Sequence, residues 1–336
     1  MAITWELREA DREVFARELD SFVPARVFDA HTHLYRAEFW PDPAPAYVKV
    51  GPPAVTLEVY REHMQWILPG REVHALHMAY PGRGLTPEAI AGGNEWVAAQ
   101  VAPDPLGRAH LMVTPDMDPE FVRQEGRRLG MCGLKVYAAF AAREDYYQAE
   151  LPEYLPEPFV QVCGEEGWSI TLHLVRSRGV ADASNQHWIR HYCEAYPDMQ
   201  LILDHCARGF NPYHVLEGLP RLEDLENVWL DTSAMCNATA LAAAIEIMGP
   251  QRVMYGSDFY VSHMRGTNYP VGDTFMWVYE DDGPPAPVYA DGFGWPLVGI
   301  ENLRAAKAAA VLARLTDTEI EAYFWGNAAT LLGLGA

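Results

Sequence analysis

The residues of this chain best suited to bind a metal ion are histidines and aspartates that follow short apolar runs. His31 and His33 flank Thr32 at the end of one such run. Because successive side chains of a strand point to opposite faces, both imidazoles would lie on the same side and could reach one ion. A His-x-His pair alone is weak evidence, since two histidines near a strand end often have no metal to bind.

Three further apolar runs end in the same kinds of residue. His173 ends one run, Asp204 and His205 end the next, and Asp258 ends the last. Burying several such groups without partners is costly, whereas a shared cation satisfies them together. Imidazole combined with carboxylate favours Zn(II), with Mn(II), Fe(II) or Co(II) as alternatives. The four runs together predict a site for a divalent metal ion.

These residues are far apart in the chain, so the fold must bring the ends of several strands together. Eight β-branched or apolar runs are predicted strands, at 25–31, 72–78, 108–113, 133–137, 169–174, 199–205, 227–233 and 252–258. The segments between them, such as PEFVRQEGRRLG, carry apolar residues at helical spacing and end near Gly or Pro. This alternation predicts an α/β fold, a (β/α)8 TIM barrel, whose chemistry lies at the carboxyl ends of the strands.

Two connections are longer than a barrel requires, and both follow predicted strands. They cover residues 36–55 after the first strand and 259–299 after the eighth, and both are rich in Pro and aromatic residues. Loops of this length are usually lids or binding loops. A subunit interface is the alternative, and Trp277 and Trp295 would suit it equally, so a homodimer remains an open expectation.

Composition limits the other classes of function. The 336 residues are 49% hydrophobic and predict one domain over 1–336, with residues 1–24 as an N-terminal helical extension. The formal net charge of -21 would repel a nucleic-acid backbone. A small anionic substrate stays compatible with this charge, because a bound ion and nearby arginines dominate the field inside a pocket.

The expected compartment is the cytoplasm. No apolar stretch reaches the roughly 18 residues that a membrane span needs, and the N-terminus is charged, unlike a signal peptide. The five cysteines are scattered without a Cys-x-x-Cys pair, which predicts free thiols and no disulfides.

An ordered set of motifs resembles the amidohydrolase superfamily. The motifs are FDAHTHL, GLKVY, TLHL, LILDHCAR, VMYGSDF and WGNAATLLGL, and they extend over roughly residues 25–335. The most similar branch is the amidohydrolase-related group, which contains aminocarboxymuconate semialdehyde decarboxylase, resorcylate-type decarboxylases and several lactone or amide hydrolases. The order of the motifs is specific for the fold and the metal, and much less so for the substrate.

The resemblance implies a role for each residue of the cluster. The implied metal ligands are His31, His33, His173 and Asp258. His205 becomes a base, or an acid that polarises the substrate carbonyl, and Asp258 also accepts a proton from the metal-bound water. Asp29 and Asp204 either orient the histidines or are ordinary carboxylates at strand ends.

Lys135 determines how many ions are expected. In the binuclear branch of the superfamily a carboxylated lysine of the fourth strand bridges two metals, and GLKVY places Lys135 on that strand. We expect one ion, because the amidohydrolase-related branch commonly carries this lysine without carboxylation. Lys135 would then bind a substrate carboxylate or oxyanion as a point charge. A second ion bridged by carboxylated Lys135 and a lysine that only reaches the barrel mouth are the alternatives.

Other polar residues near the predicted strand ends are candidates for substrate binding. Arg176 and Arg208 each follow a histidine of the cluster by three residues and could hold a carboxylate, or form surface ion pairs instead. Tyr137, His263 and Arg265 are expected to line the pocket. The remaining histidines singled out are His74 and His77, predicted to pack on the second strand, and His187 and His191, predicted to lie on an exposed helix face.

The leading functional hypothesis is hydrolysis of a small, carboxylated lactone, ester or amide by a metal-activated water. LDHCAR looks more like the lactone hydrolases of the group than like its decarboxylases. The alternative is a metal-dependent, non-oxidative decarboxylase of an unsaturated or aromatic acid. A barrel that has lost its chemistry would lack a ligand, and here the ligand set is complete.

Overall fold

A computed structural model describes residues 4–40, 46–280 and 294–334. Both long connections predicted from the sequence extend beyond these ranges, since 41–45 of the first and 281–293 of the second lie outside the described residues. Within the described part of the chain, no helix is both long and apolar enough to cross a membrane. All five cysteines are described, and all carry free thiols.

Eight parallel strands form the central sheet and pair in chain order. The strands are β1 Arg26–Arg36, β2 Glu72–Ala79, β3 Arg108–Met112, β4 Gly133–Val136, β5 Ser169–Leu172, β6 Gln200–Leu203, β7 Val228–Asp231 and β8 Val253–Met254. A ninth short strand, Ala54–Val55, pairs antiparallel with the end of β1. Each of the eight runs predicted as strands therefore overlaps one, although β1 extends well beyond its run.

The sheet curls until the segment after β8 meets β1. Ala30 donates its backbone N–H to the carbonyl of Tyr255 at 2.9 Å, and Asp258 donates to the carbonyl of His31 at 2.9 Å. A parallel bridge joins Thr32 and Phe259. The fold is accordingly a mixed α/β, TIM-barrel-like arrangement, and Asp258, in the segment after β8, lies beside the histidines of β1.

Helices connect the strands, and capping residues define their ends. They are α1 Glu9–Val14, α2 Ala46–Val50, α3 Leu57–Met64, α4 Pro87–Val101, α5 Pro119–Leu129, α6 Glu157–Glu166, α7 Ala183–Ala195, α8 Pro212–Gly218, α9 Ala238–Met248, α10 Val298–Leu312, α11 Asp317–Glu321 and α12 Asn327–Leu331. Thr86 and Asp118 accept backbone N–H groups at the start of α4 and α5. Gly130 ends α5 at φ 67°, a conformation that glycine adopts without strain.

The N-terminal extension packs on the connection that follows β8. Asp11 of α1 accepts hydrogen bonds from buried Arg265 at 2.6 and 3.2 Å. The Trp5 ring stacks on His263 with centroids 5.5 Å apart. A π-helical turn, Phe15–Leu19, continues α1 and buries Phe15 and Leu19.

Two irregular elements reach the carboxyl edge of the sheet. After β6 the chain makes a left-handed turn, with φ of 54° at His205, 49° at Cys206, 61° at Ala207 and 58° at Arg208. For a residue other than glycine, this left-handed conformation costs roughly 1–2 kcal/mol, so contacts with the surrounding residues must stabilise the turn. The second element is an antiparallel hairpin of β9 Gly266–Val271 and β10 Thr274–Tyr279.

The tip of the hairpin is fastened to α8 and the residue before it. Asn211 donates two hydrogen bonds, to the carbonyls of Gly272 at 3.0 Å and Thr274 at 2.9 Å. His214 and Arg178 both contact the carboxylate of Asp273 at the tip. The hairpin therefore lies over the edge of the sheet where the functional side chains emerge.

Candidate metal centre

Three donor groups meet at the carboxyl end of the sheet. His33 Nε2 lies 3.5 Å from Asp258 Oδ1, and His31 Nε2 lies 3.9 Å from the same oxygen. One donor atom from each of the three residues lies within 4.8 Å of the others. Two imidazoles and a carboxylate converging in this way fit a divalent ion such as Zn(II).

The electrostatics of the cluster keep these donors in the form that binds a metal. Burial, together with the charge of Lys135, lowers the pKa of His31 to about 4. Burial also lowers the pKa of His33. Although burial opposes it, the hydrogen bond to His33 and the neighbouring imidazoles lower the pKa of Asp258 below its usual range. Neutral imidazoles beside an ionised carboxylate form a competent ligand set at neutral pH.

Asp231 at the end of β7 orients His31. Its Oδ2 lies 2.9 Å from His31 Nδ1, which therefore carries the proton and leaves the lone pair of Nε2 on the side of Asp258. Its Oδ1 accepts N–H groups from Ser233 at 2.9 Å and from His205 at 3.1 Å. The sequence analysis did not single out Asp231 or Ser233. The signal was present, since a Leu-Asp pair lies near the end of the seventh run as it does in the sixth.

His205 has a fixed tautomer. Its Nδ1 lies 2.8 Å from the backbone carbonyl of Ser233, an acceptor only, so Nδ1 carries the proton. The Nε2 lone pair is then available to the cavity that His205 lines. The His205 ring stacks on His31, with centroids 5.3 Å apart. The left-handed turn thus places a basic nitrogen next to the donor cluster.

His173 lies at the border of the cluster. Its ring centroid is 5.2 Å from that of His205, and it lines the same cavity. Burial and the neighbouring His205 lower its pKa well below the usual range, which leaves a neutral imidazole. His173 does not belong to the group of three donors within 4.8 Å, so its role as the fourth ligand remains a prediction.

Asp29 braces the backbone and does not orient an imidazole. It accepts hydrogen bonds from Ser257 N at 2.8 Å, Ser257 Oγ at 2.5 Å and Tyr60 Oη at 2.8 Å. It also accepts the backbone N–H of His31 at 3.1 Å. Burial raises the pKa of Asp29 to about 7. Its contacts hold β1 and the segment after β8 in register, so that Asp258 meets the histidines.

Asp204 forms an ion pair with Lys135 beneath the cluster. Both side chains are fully buried, and Lys135 Nζ contacts Asp204 Oδ2 directly. The other oxygen of Asp204 lies 3.6 Å from His31 Nδ1. Lys135 also lies 4.9 Å from the centroid of the Tyr137 ring and reaches the cavity.

A cavity of about 600 Å³ opens above these groups. Nine aromatic side chains line its wall: Tyr80, Tyr137, Tyr146, Tyr147, Phe210, Tyr260, Phe275, Trp277 and Tyr279. The Arg208 guanidinium lies 5.1 Å from the centroid of the Phe275 ring and 5.9 Å from that of Tyr147. Among the described residues no carboxylate lies within ion-pair distance of it, so this cation is available to an anionic ligand.

Three predicted pocket residues lie elsewhere. His263 is fully buried and bonds to the carbonyl of His63 at 2.8 Å, while Arg265 pairs with Asp11, so both hold the N-terminal extension and neither lines the cavity. Arg176 pairs with Asp182 at 3.0 Å and also lies outside the lining. The sequence places all three just after strands, but their strong local partners keep them out of the cavity.

The remaining histidines lie away from the cluster. His74 pairs with Asp104 at 2.8 Å, and His77 is buried against the Tyr60 ring, as expected for packing residues. His187 and His191 stack on the surface of α7.

Comparison with known proteins identifies the family of the chain and structures that share its fold. A family model described as Amidohydrolase matches residues 28–334. No curated protein matches the sequence significantly.

Solved structures with the same fold have low sequence identity to this chain. An amidohydrolase from Burkholderia multivorans with bound zinc is 15% identical, covering 93% of this chain and 100% of its own, with a TM-score of 0.57. A protein named as a 2-pyrone-4,6-dicarboxylic acid hydrolase from Pseudomonas putida is 17% identical, covering 94% and 100%, with a TM-score of 0.57. A dihydroxybenzoic acid decarboxylase from Polaromonas sp. JS666, with manganese and 2-nitroresorcinol, is 16% identical, covering 93% and 97%, with a TM-score of 0.57.

Proposed function

The chain belongs to the amidohydrolase family, and we propose that it is a metal-dependent hydrolase of small, carboxylated lactones, esters or amides. The observation that carries this proposal is the fixed tautomer of His205, whose free Nε2 lies beside the donor cluster. A base in this position is suited to take a proton from an attacking water molecule. Both the hydrolase and the decarboxylase named above share the fold, so the choice between these reactions rests on the site.

The ligands proposed for one divalent ion, zinc in the first place, are His31, His33, His173 and Asp258. When bound, such an ion would polarise a carbonyl oxygen and make a water molecule more acidic. The donor set fits this role because burial keeps the imidazoles neutral while Asp258 stays ionised. Zinc and manganese are present in the two metal-bound structures compared above, which is compatible with either ion here.

The chain's own groups would perform the remaining tasks. His205 accepts a proton at Nε2 and returns it to the leaving group. Arg208 binds the substrate carboxylate, and the aromatic side chains around it exclude water, which strengthens that interaction. Tyr137, whose Oη lies 3.5 Å from His33 Nδ1, is placed to orient the substrate at the border of the cluster.

Non-oxidative decarboxylation is the second candidate, and the aromatic wall favours it. Phe210 and Phe275 pack with centroids 4.6 Å apart, and Trp277 stacks on Tyr279 at 5.4 Å and 7°. Flat walls of this kind suit an aromatic or unsaturated acid. In that reaction a protonated His205 would deliver its proton to the ring carbon as the carboxylate leaves.

One set of assays tests both candidates. Purified protein would be offered lactones, esters, amides and aromatic carboxylic acids with Zn(II) or Mn(II), and again after chelation. Hydrolysis in water labelled with heavy oxygen puts the label into the acid product. Decarboxylation releases carbon dioxide and, in deuterated water, adds deuterium to the substrate carbon. Turnover that persists fully after the metal has been removed would contradict both candidates.

A matched pair of variants ties the activity to the cluster. We expect Asp258→Asn to lose bound metal and at least about 100-fold in kcat/KM, since a charged ligand is removed. His187→Asn, an exposed histidine on α7, should retain both. Equal losses in the two variants would show that the effect does not come from the proposed centre.

A further inference from the structure

The hairpin of β9 and β10, which carries part of the cavity wall, has a tightly closed base. β9 begins immediately after Arg265, and β10 ends immediately before Glu280. These two residues continue the pairing of the strands, since Glu280 donates its backbone N–H to the carbonyl of Arg265 at 3.0 Å. Gly266 allows the strands to approach closely here, because a Cβ at this position would lie 2.3 Å from the carbonyl oxygen of Val278.

Both side chains at the base bind the same short segment of the N-terminal extension. Two hydrogen bonds join Arg8 to the two carboxylate oxygens of Glu280, at 2.7 and 2.8 Å. Arg265 donates to the carboxylate of Asp11 at 2.6 and 3.2 Å and to the carbonyl of Glu6 at 2.8 Å. Asp11 also accepts the backbone N–H of Arg8 at 2.8 Å, so both contacts belong to one turn of the chain. The extension therefore holds the beginning and the end of the hairpin together.

The base lies next to the residues that face the cavity. Tyr279 immediately precedes Glu280, and its ring stacks on that of Trp277 with centroids 5.4 Å apart and planes 7° apart. Phe275, Trp277 and Tyr279 alternate along β10, and all three line the cavity. Met276, on the opposite face of the same strand, is 47% exposed and gives the wall no support from outside. A shift at the base would therefore move the aromatic wall.

We propose that the N-terminal extension is part of the substrate site, with Arg8 and Asp11 as positioning residues for the aromatic wall. Neither lines the cavity. They hold the base of the hairpin so that Phe275, Trp277 and Tyr279 stay against the cavity. The inference rests on the proposed function, because it takes this cavity as the place where substrate binds. It does not depend on the metal ion or on the choice between hydrolysis and decarboxylation.

The two ion pairs at the base differ in burial, which decides how each can be tested. Arg265 and Asp11 are both 2% exposed, so removing either partner would leave a buried charge uncompensated and destabilise the fold. The side chains of Arg8 and Glu280 are 30% and 23% exposed. A partly exposed pair contributes less to stability, so it can be broken without unfolding the chain.

Hydrogen exchange followed by mass spectrometry tests the attachment without any substrate. Arg8→Gln should speed amide exchange over 266–279 about two- to fivefold, the factor expected when a partly exposed ion pair is lost. Arg8→Lys, which keeps the charge, should show a smaller change. The double variant Arg8→Gln/Glu280→Gln should exchange no faster than Arg8→Gln, since both lack the same contact.

Steady-state kinetics test the consequence for substrate, with Arg304→Gln as the matched control. Arg304 also binds the extension, but its partner there is Glu18, at 2.9 Å, instead of a residue of the hairpin. With a substrate found in the assays above, Arg8→Gln should raise KM about two- to fivefold, while kcat and the bound metal stay at wild-type levels. Arg304→Gln should leave KM and the exchange of the hairpin unchanged.

The outcomes separate this inference from the proposed function. Unchanged exchange over 266–279 in Arg8→Gln, or equal acceleration in Arg8→Gln and Arg304→Gln, would overturn the inference. Faster exchange with an unchanged KM would also overturn it, since the wall would then move without effect on substrate. Absence of turnover in the wild type would refute the proposed function, and the exchange comparison would then decide whether the extension holds the wall.

Discussion

Replacing Asp231 with asparagine should weaken metal binding without touching a metal ligand. The carboxylate uses both oxygens, with Oδ2 facing His31 Nδ1 at 2.9 Å and Oδ1 accepting from Ser233 N and His205 N. Asparagine has only one acceptor oxygen. If its amide nitrogen faces His31, the imidazole must move its proton to Nε2, which can then no longer bind an ion. If the amide nitrogen faces the two backbone N–H groups, donors oppose donors.

The size of the effect follows from this contact. Removing a group that orients a metal-bound histidine typically costs 10–100-fold in metal affinity, about 1.4–2.7 kcal/mol. We therefore expect the zinc dissociation constant of Asp231→Asn to rise about 10–100-fold. The measurement is a competition titration of Zn(II) against a chromophoric chelator. Circular dichroism would confirm that the variant is folded.

Asp104→Asn is the matched control, because Asp104 makes the same kind of contact far from the centre. Both of its oxygens lie 2.8 Å from His74 Nδ1, and the carboxylate is buried. This variant should lose stability and retain its zinc affinity. The reasoning would be refuted if Asp231→Asn bound zinc within about twofold of the wild type, or if the two variants lost affinity equally.

Three further predictions concern the cavity, the core and the hairpin. Arg208→Gln should raise KM for a carboxylated substrate about 10–100-fold with a smaller change in kcat, whereas Arg176→Gln should leave KM nearly unchanged in the same steady-state assay. Burial lowers the pKa of His263 to about 3. As the pH falls from about 6.5 towards 3, this histidine is therefore protonated in the unfolded chain but not in the folded one, and the free energy of unfolding decreases. His263→Asn should reduce that decline by up to about 1.4 kcal/mol per pH unit, measured by urea unfolding at several pH values. Asp273→Ala should remove the contacts of the hairpin tip and speed amide exchange over 266–279, detected by mass spectrometry.

Each of these predictions has an outcome that contradicts it. A parallel rise of KM in the Arg208 and Arg176 variants would mean that the cavity does not distinguish the two cations. An unchanged acid slope in His263→Asn would mean that other groups dominate the acid response. Faster exchange throughout the chain in Asp273→Ala, instead of in the hairpin alone, would point to a general loss of stability.

The sequence predicts the strands well, and it singles out three residues that converge in the structure, because both produce local patterns. A buried parallel strand appears as an apolar run, and all eight such runs overlap strands. The ends of these runs lie at the carboxyl edge of the sheet, which explains why His31, His33 and Asp258 converge. The family stated from the motifs is confirmed by the match over residues 28–334.

The sequence predicts the surroundings of these residues less well, because partners distant in the chain decide them. His263 and Arg265 follow the eighth strand closely, yet their contacts with the N-terminal extension draw them away from the cavity. The left-handed turn at 205–208 contains no glycine, so no residue type in the sequence predicts it. Asp231 shares only a Leu-Asp pair with the sixth run, and its role becomes visible only when the fold brings the end of β7 close to His31.

The hairpin of β9 and β10 carries part of the substrate wall but none of the proposed metal ligands. Substrate preference and metal binding are usually difficult to change independently. Phe275, Trp277 and Tyr279 occupy alternate positions on one strand of it, and all three face the cavity. The proposed ligands come instead from strand ends that belong to the sheet itself. The hairpin contacts Asn211 and His214 at its tip and Ala234 through Asn268, and none of these contacts involves a proposed ligand, so its exchange for another segment would reshape the substrate wall and leave the proposed ligands in place. For protein engineering, the hairpin is therefore the part of this enzyme in which new substrate preference can be sought at the least risk to catalysis.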